Sequence, residues 1–186
     1  MGLKWSIYPP SDDTYFLLDN LPYNLGDSIA EVGCGSGVIS LQVAKKTKRV
    51  LATDINFHAV KYLWMKAKAE RIDTKIDVIC CDLLNCLRDL RSFSSIIFNP
   101  PYLPCKWIED PSICGGENGI KIITKFIDLL KELDHRNLRV YMVLSNRANI
   151  RKINRKLKND GIKFHIIATK SLGFFEELKL YLLILQ

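Results

Sequence analysis

Short apolar runs alternate with helix-period segments along most of the chain. Apolar runs bounded by turn residues read as buried strands, and apolar residues recurring every three or four positions read as helices. Ser28–Val32 is predicted as a first strand and Gly37–Lys46 as a helix. Arg49–Thr53 follows as a second strand, then a helix over His58–Glu70 with Val60, Leu63, Trp64 and Ala67 on one face. Ile76–Cys81 and Ser94–Phe98 read as strands three and four. Beyond a loop from Asn99 to about Asn118 come a helix over Ile120–Lys131, a strand over Arg139–Leu144 and a helix over Asn149–Asn159. Lys163–Ala168 and Leu178–Leu185 are then two strands with too few residues between them for a crossover helix, so they must form an antiparallel hairpin. Seven strands and this alternation predict a doubly wound α/β fold of Rossmann-like type. Its sheet is mostly parallel and takes an antiparallel C-terminal hairpin strand at one margin.

Length adds that 186 residues suffice for one domain with a full core, so residues 1–186 are read as a single unit. The chain is 48% hydrophobic and 25% charged, and no apolar stretch is long enough to span a membrane. The N-terminus, Met1-Gly2-Leu3-Lys4-Trp5, lacks the apolar run of a secretory leader, so a cytoplasmic location is expected. Net charge is +7, but the basic residues are scattered at helix-surface spacing (Lys45-Lys46, Arg151-Lys152, Arg155-Lys156), which does not favour a nucleic acid partner. Six cysteines contain no C-x2-C pair, so no metal site is expected. Cys105 and Cys114 flank one loop, and whether they bridge is left open.

Candidate chemistry begins at Asn99-Pro100-Pro101-Tyr102, directly after the apolar run Ser94–Phe98. Two prolines cannot continue a strand ladder, because they have no N–H to donate. Backbone carbonyls beside them are free to point elsewhere. An Asn amide, a freed carbonyl and an aromatic ring at a strand's end suit a flat –NH2 group: two acceptors for two hydrogens, and a face for the plane. A second feature is Glu31-Val32-Gly33-Cys34-Gly35-Ser36-Gly37, which closes strand one and opens a helix. Glycines let the backbone turn sharply beside a ligand. Val38 stands where a dinucleotide fingerprint needs glycine, and no P-loop lysine follows. The spacing is instead G-x-G-x-G with an acid two positions ahead, which resembles the first motif of S-adenosylmethionine-dependent methyltransferases. Asp54, at the end of strand two, can accept both ribose hydroxyls of a nucleoside. Asp82, after strand three, can accept from an adenine amino group, with Leu83 bordering the ring. These strand ends lie side by side at the sheet's C-terminal edge.

Taken together, Glu31–Gly37, Asp54, Asp82 and Asn99–Tyr102 resemble the class I methyltransferases of the N-P-P-Y type. More narrowly, the chain resembles the release-factor glutamine methyltransferases of archaea and eukaryotes. Tyr8-Pro9-Pro10-Ser11-Asp12-Asp13-Thr14-Tyr15-Phe16-Leu17-Leu18 is similar to that family's Y-x-P-x-E-D-T-x-x-L-L segment, although Asp12 stands where Glu is usual. Gly115-Gly116-Glu117-Asn118-Gly119 is similar to its G-G-x-x-G loop, and Phe174–Leu178 to its last-hairpin motif. The resemblance implies an enzyme of protein methylation in translation termination, acting on the side-chain amide of a glutamine, in the Gly-Gly-Gln loop of a class I release factor. It implies S-adenosylmethionine as cofactor, held by Thr14, Glu31, Gly33, Gly35, Asp54, Asp82, Leu83 and Asn99. It assigns substrate and chemistry to Asn99, Pro100, Pro101 and Tyr102. Asp13 has no evident role. Ser11–Thr14 also reads as a helix start, so Thr14 has two candidate roles. The family's small zinc-binding activator would pair with strand three, here Ile76–Cys81, whose apolar edge is a liability unless covered. A planar-amine grip equally suits adenine N6 or guanine N2 in RNA or DNA, and the residues alone leave that alternative open.

Overall fold

The computed structural model describes residues 6–106 and 110–186. The N-terminal segment Met1–Trp5 and positions 107–109 of the long loop lie outside the described residues. In chain order the elements are α1 (Asp12–Asn20), β1 (Ser28–Val32), α2 (Val38–Ala44), β2 (Arg49–Asp54), α3 (Phe57–Ala69), β3 (Ile76–Cys80), β4 (Ser95–Phe98), α4 (Lys121–Glu132), β5 (Leu138–Ser145), α5 (Ile150–Asn159), β6 (Lys163–Leu172) and β7 (Glu176–Leu185).

The seven strands form one sheet in the order β3-β2-β1-β4-β5-β7-β6. Every neighbouring pair up to β5 is parallel, and β7 pairs antiparallel with both β5 and β6. The expected hairpin thus exists, but its second strand is inserted between β5 and β6. The run Leu178–Leu185 explains this: Leu178, Leu180, Tyr181 and Leu183 are each fully buried, whereas β6 has little buried surface and sits at the margin. No helix among the described residues is long and apolar enough to cross a membrane.

Parallel strands covered on both faces need apolar side chains at nearly every position. In β4, Ile96 and Phe98 enter one core layer with Ile123, Phe126 and Ile127 of α4 and Ile153 of α5. Ile97 enters the other, with Phe16 and Leu17 of α1, Ile39 of α2 and Leu63 of α3. Side chains alternate across the sheet, so successive residues of one strand bind its two layers together. Trp64, expected on the core face of α3, is only half-buried, and Ala59 takes its place beside Val60, Leu63 and Ala67. Asn56 starts α3 by accepting the His58 N–H at 3.0 Å, and Asn149 starts α5 by accepting the Lys152 N–H at 3.2 Å.

Strand order reverses beside β1: the chain moves from β1 outward to β2 and β3, then returns to place β4 on the other side of β1. Open α/β sheets bind ligands at such a point, beyond the carboxyl ends of the strands. Both principal motifs stand there, one after β1 and one after β4.

Candidate active site

The glycine loop is shaped by two backbone demands. Gly37 has φ +76°, and a Cβ there would meet Leu63 Cδ1 at 2.5 Å, so only glycine lets α2 begin against α3. The turn closes through the Gly37 N–H donating to the Cys34 carbonyl at 2.7 Å, and is tied to β2 by the Cys34 N–H donating to the Thr53 carbonyl at 2.9 Å. The Gly35 N–H donates to Asp54 Oδ2 at 2.8 Å, while Asp54 Oδ1 accepts the Asn56 N–H at 2.8 Å. Each carboxylate oxygen therefore has one fixed partner and lone pairs left for a ligand. Burial pushes the Asp54 carboxyl above its usual range, against the pull of those two N–H donors.

These parts wall a cleft of about 230 Å³ at the strand ends. Of the residues expected at a cofactor site, Thr14, Glu31, Gly33, Gly35, Asp54, Asp82, Leu83 and Asn99 all line it, as do Pro100, Pro101 and Tyr102. Thr14 also takes the expected place at the start of α1, its hydroxyl accepting the Ser11 N–H at 3.3 Å. Asp82 is ion-paired with Lys125 of α4, a cation that sequence spacing did not connect with it. Glu31 is 2% exposed and accepts a hydrogen bond from the Ser40 hydroxyl. Burial pushes Glu31 up to about 8, despite hydrogen bonds from Ser40 that lower it.

The sign of that shift gives a prediction. A carboxyl raised in the folded state contributes its stability fully below its unfolded value of 4.5 and loses it as pH rises to about 8. Relative to Glu31→Gln, the wild-type protein is expected to lose on the order of 5 kcal/mol across that window. Thermal unfolding of both proteins from pH 4 to 9 measures it; a constant difference would mean that Glu31 does not carry the proton.

Asn99 Oδ1 is buried and accepts no hydrogen bond. Among the described residues no hydrogen bond ends on the Pro100 carbonyl either. Buried acceptors are normally satisfied, so an unpaired amide oxygen in a cleft wall marks a place for a donor. Tyr102 is held from behind: its hydroxyl donates to Asp13 Oδ2 at 3.0 Å, and the Tyr8 hydroxyl donates to the same carboxylate at 2.9 Å. Burial first, and the Asp13 charge next, hold both phenols well above their ordinary range, so they remain donors. Asp13 is itself 4% exposed. Sequence reasoning missed Asp13, Tyr8 and Ser6 as cleft residues. The two tyrosines meet at one carboxylate only through the fold, although the spacing of Tyr8 to Asp13 was a local clue.

Behind this motif the long loop folds back in a defined way. The Leu103 N–H donates to the Ile113 carbonyl at 3.1 Å, and the Gly115 N–H to the Leu103 carbonyl at 2.9 Å. Gly119 has φ +67°, and a Cβ there would strike the Tyr102 carbonyl at 2.2 Å. The G-G-x-x-G segment is thus packed on the backbone of the tetrapeptide. Cys105 and Cys114 are disulfide-bonded, with Cα atoms 5.7 Å apart. Among the described residues no cluster of three or more His, Cys, Asp or Glu could hold a metal.

Comparison with known proteins agrees with this geometry. The family model for the methyltransferase small domain matches residues 11–109. A Methanocaldococcus jannaschii protein, provisionally named a protein N5-glutamine methyltransferase, is 32% identical over 95% of this chain and 91% of its own. The Schizosaccharomyces pombe eRF1 methyltransferase catalytic subunit mtq2 is 27% identical, covering 83% of this chain and 79% of that one. Among solved structures, the E. cuniculi Mtq2–Trm112 complex, described as methylating the eRF1 termination factor, superposes with a TM-score of 0.76. It is 24% identical, over 96% of this chain and 98% of that one. With the family model matching more than half of the chain and a relative 32% identical over nearly all of it, the chain belongs to the methyltransferase small domain family of class I, S-adenosylmethionine-dependent enzymes.

Proposed function

We infer that this enzyme methylates the side-chain amide nitrogen of a glutamine in a protein, and that the protein is a class I release factor. The observation that carries the reading is the buried, unpartnered Asn99 Oδ1 in the cleft wall. The cofactor fits the residues present: Asp54 with lone pairs free for ribose hydroxyls, Asp82 and Leu83 for the adenine edge, and Glu31, Gly33 and Thr14 for the amino-acid end. When bound, S-adenosylmethionine supplies an electrophilic methyl carbon on a sulfonium.

The chain's own residues must make an amide nitrogen attack that carbon. Such a nitrogen is a poor nucleophile because its lone pair is delocalised into the carbonyl. Asn99 Oδ1 and the Pro100 carbonyl accept its two N–H bonds and fix its direction. As the nitrogen gains positive character, both acceptors hold its hydrogens more strongly than before, which lowers the barrier. Tyr102 packs on the amide plane and is kept in place by Asp13. No histidine lines the cleft among the described residues. The proton leaves to water after transfer, because a protonated N-methyl amide is strongly acidic.

If Asp13 works through Tyr102, the two act as one unit. Asp13→Ala and Tyr102→Phe are each expected to lower kcat by about tenfold, and the double variant by no more than the worse single. Full additivity in steady-state kinetics would separate their roles.

The second partner we propose is a small zinc-binding activator that adds a strand to β3. That strand ends the sheet and pairs only with β2 among the described residues. Ile79 is 37% exposed on it, and Phe57 of α3, beside the same groove, is 61% exposed. An edge of this kind is aggregation-prone unless covered. The deciding experiment is transfer of labelled methyl onto a purified class I release factor, its Gln→Ala loop variant as control, with and without the small partner. Label in the wild-type factor alone supports the reading. Label in both factors, or only in added RNA, overturns it.

A further inference from the structure

The turn after β3 carries a feature that the methyl-transfer chemistry does not use. Cys81 and Cys86 face each other with their sulfurs 2.7 Å apart. A disulfide needs about 2.05 Å, so the pair stands a small displacement from bonding. Cys86 is exposed and Cys81 is partly buried, with its thiol also donating to the Leu83 carbonyl at 3.2 Å. The neighbouring thiol, Cys80, is directed elsewhere, toward the Ile55 carbonyl at 3.6 Å. Asp82, the only carboxylate within the turn, is taken by Lys125. A metal site is thereby disfavoured, and no such cluster exists among the described residues. The same chain already forms one disulfide, Cys105–Cys114.

We propose that Cys81 and Cys86 form a second disulfide, a thiol–disulfide modification site that locks the Asp82–Leu83 turn at the cofactor end of the cleft. The step balances with a small-molecule disulfide as oxidant. The Cys86 thiolate attacks it and expels one thiolate. Cys81 then loses its proton and displaces the second thiolate from Cys86. Two S–H bonds are lost, one S–S bond forms, and the oxidant leaves as two thiols carrying both protons. Cys86 is the entry point because it is exposed, whereas burial pushes the Cys81 thiol up to about 12. Once the mixed disulfide forms, Cys81 is already in place, and proximity drives closure.

The link bears on the cleft through short connections. The Cys81 N–H donates to the Asp54 carbonyl at 3.0 Å, so the turn is tied to the ribose-facing residue. Leu83 lines the cleft with φ +54°, a conformation that non-glycine residues hold only under restraint. A covalent closure from 81 to 86 supplies that restraint and leaves less to be ordered when ligand binds.

The test uses the full chain with Cys80→Ser, so that Cys80 cannot replace Cys81. After incubation with oxidised glutathione, non-reduced peptide mapping should show a Cys81–Cys86 cross-link; separate alkylation of the two residues would overturn the site. Titration calorimetry with S-adenosylhomocysteine should then show binding about fivefold tighter in the cross-linked form than with Cys86→Ser added. Equal affinities would overturn the coupling to the cleft. The coupling rests on the cofactor placement given above, but the cross-link does not. Absence of S-adenosylhomocysteine binding in both forms would refute that placement while the mapping still decides the bond.

Discussion

Replacing Asn99 with alanine is expected to lower kcat by about a thousandfold or more while donor affinity changes by less than about threefold. The side-chain oxygen that disappears has no hydrogen-bond partner among the described residues. Its removal therefore breaks no internal hydrogen bond and leaves the glycine loop and Asp54 as they are. What would be lost is one of the two acceptors proposed to direct the nucleophile. Asn99→Asp tests the same point from the other side. It keeps an acceptor and nearly the same volume but adds a charge beside Phe98, which is 1% exposed. It should retain more turnover than alanine at low pH, where the added carboxyl is protonated, and lose that advantage as pH rises. Methyl-transfer assays with calorimetry on both variants measure the separation. Turnover in Asn99→Ala equal to that of wild type would refute the assigned role.

The parts of this site that were readable in the sequence are those where backbone geometry limits residue choice. Gly37 must be glycine because Leu63 of α3 fills the space of its Cβ. Pro100 and Pro101 end β4 because they cannot donate to a ladder. Such constraints leave one-dimensional marks, and the order of strands with Asp54 and Asp82 at their ends follows from them. Asp13 matches the family segment by letter, but no backbone constraint announced its contacts. They depend on Tyr102, 89 residues away, arriving at the same carboxylate as Tyr8. The Lys125–Asp82 pair spans 43 residues and was equally hidden. Period alone also misplaced Trp64, because an indole at a helix margin can be half-covered while a smaller Ala59 fits the core. Periodicity foresaw the hairpin but not which of its strands would lie inside. That is decided by burial: β7 is apolar enough for both faces, and β6 is not.

Asp54→Ala is expected to give the opposite signature to Asn99→Ala. Donor affinity should fall by about a hundredfold, corresponding to two hydrogen bonds from hydroxyls to a charged acceptor. At saturating donor, kcat should stay within about threefold of wild type, since nothing at Asn99 or Tyr102 has changed. The alanine variant has a second consequence: the Gly35 and Asn56 N–H groups, both 2.8 Å from the carboxylate, lose their acceptor. Part of its loss could then come from a shifted glycine loop instead of missing ribose contacts. Asp54→Asn separates the two. It keeps an acceptor for one N–H, sets an amide NH2 against the other, removes the charge, and should weaken donor binding by about tenfold with less disturbance of the loop than alanine causes. The loop itself can be followed by hydrogen exchange of the Gly35 and Gly37 amides. If Asp54→Asn bound donor as tightly as wild type, the carboxylate would be a support for the turn and not a ribose acceptor. If either variant lost kcat at saturating donor with affinity intact, binding and chemistry would not be divided between β2 and β4 as proposed.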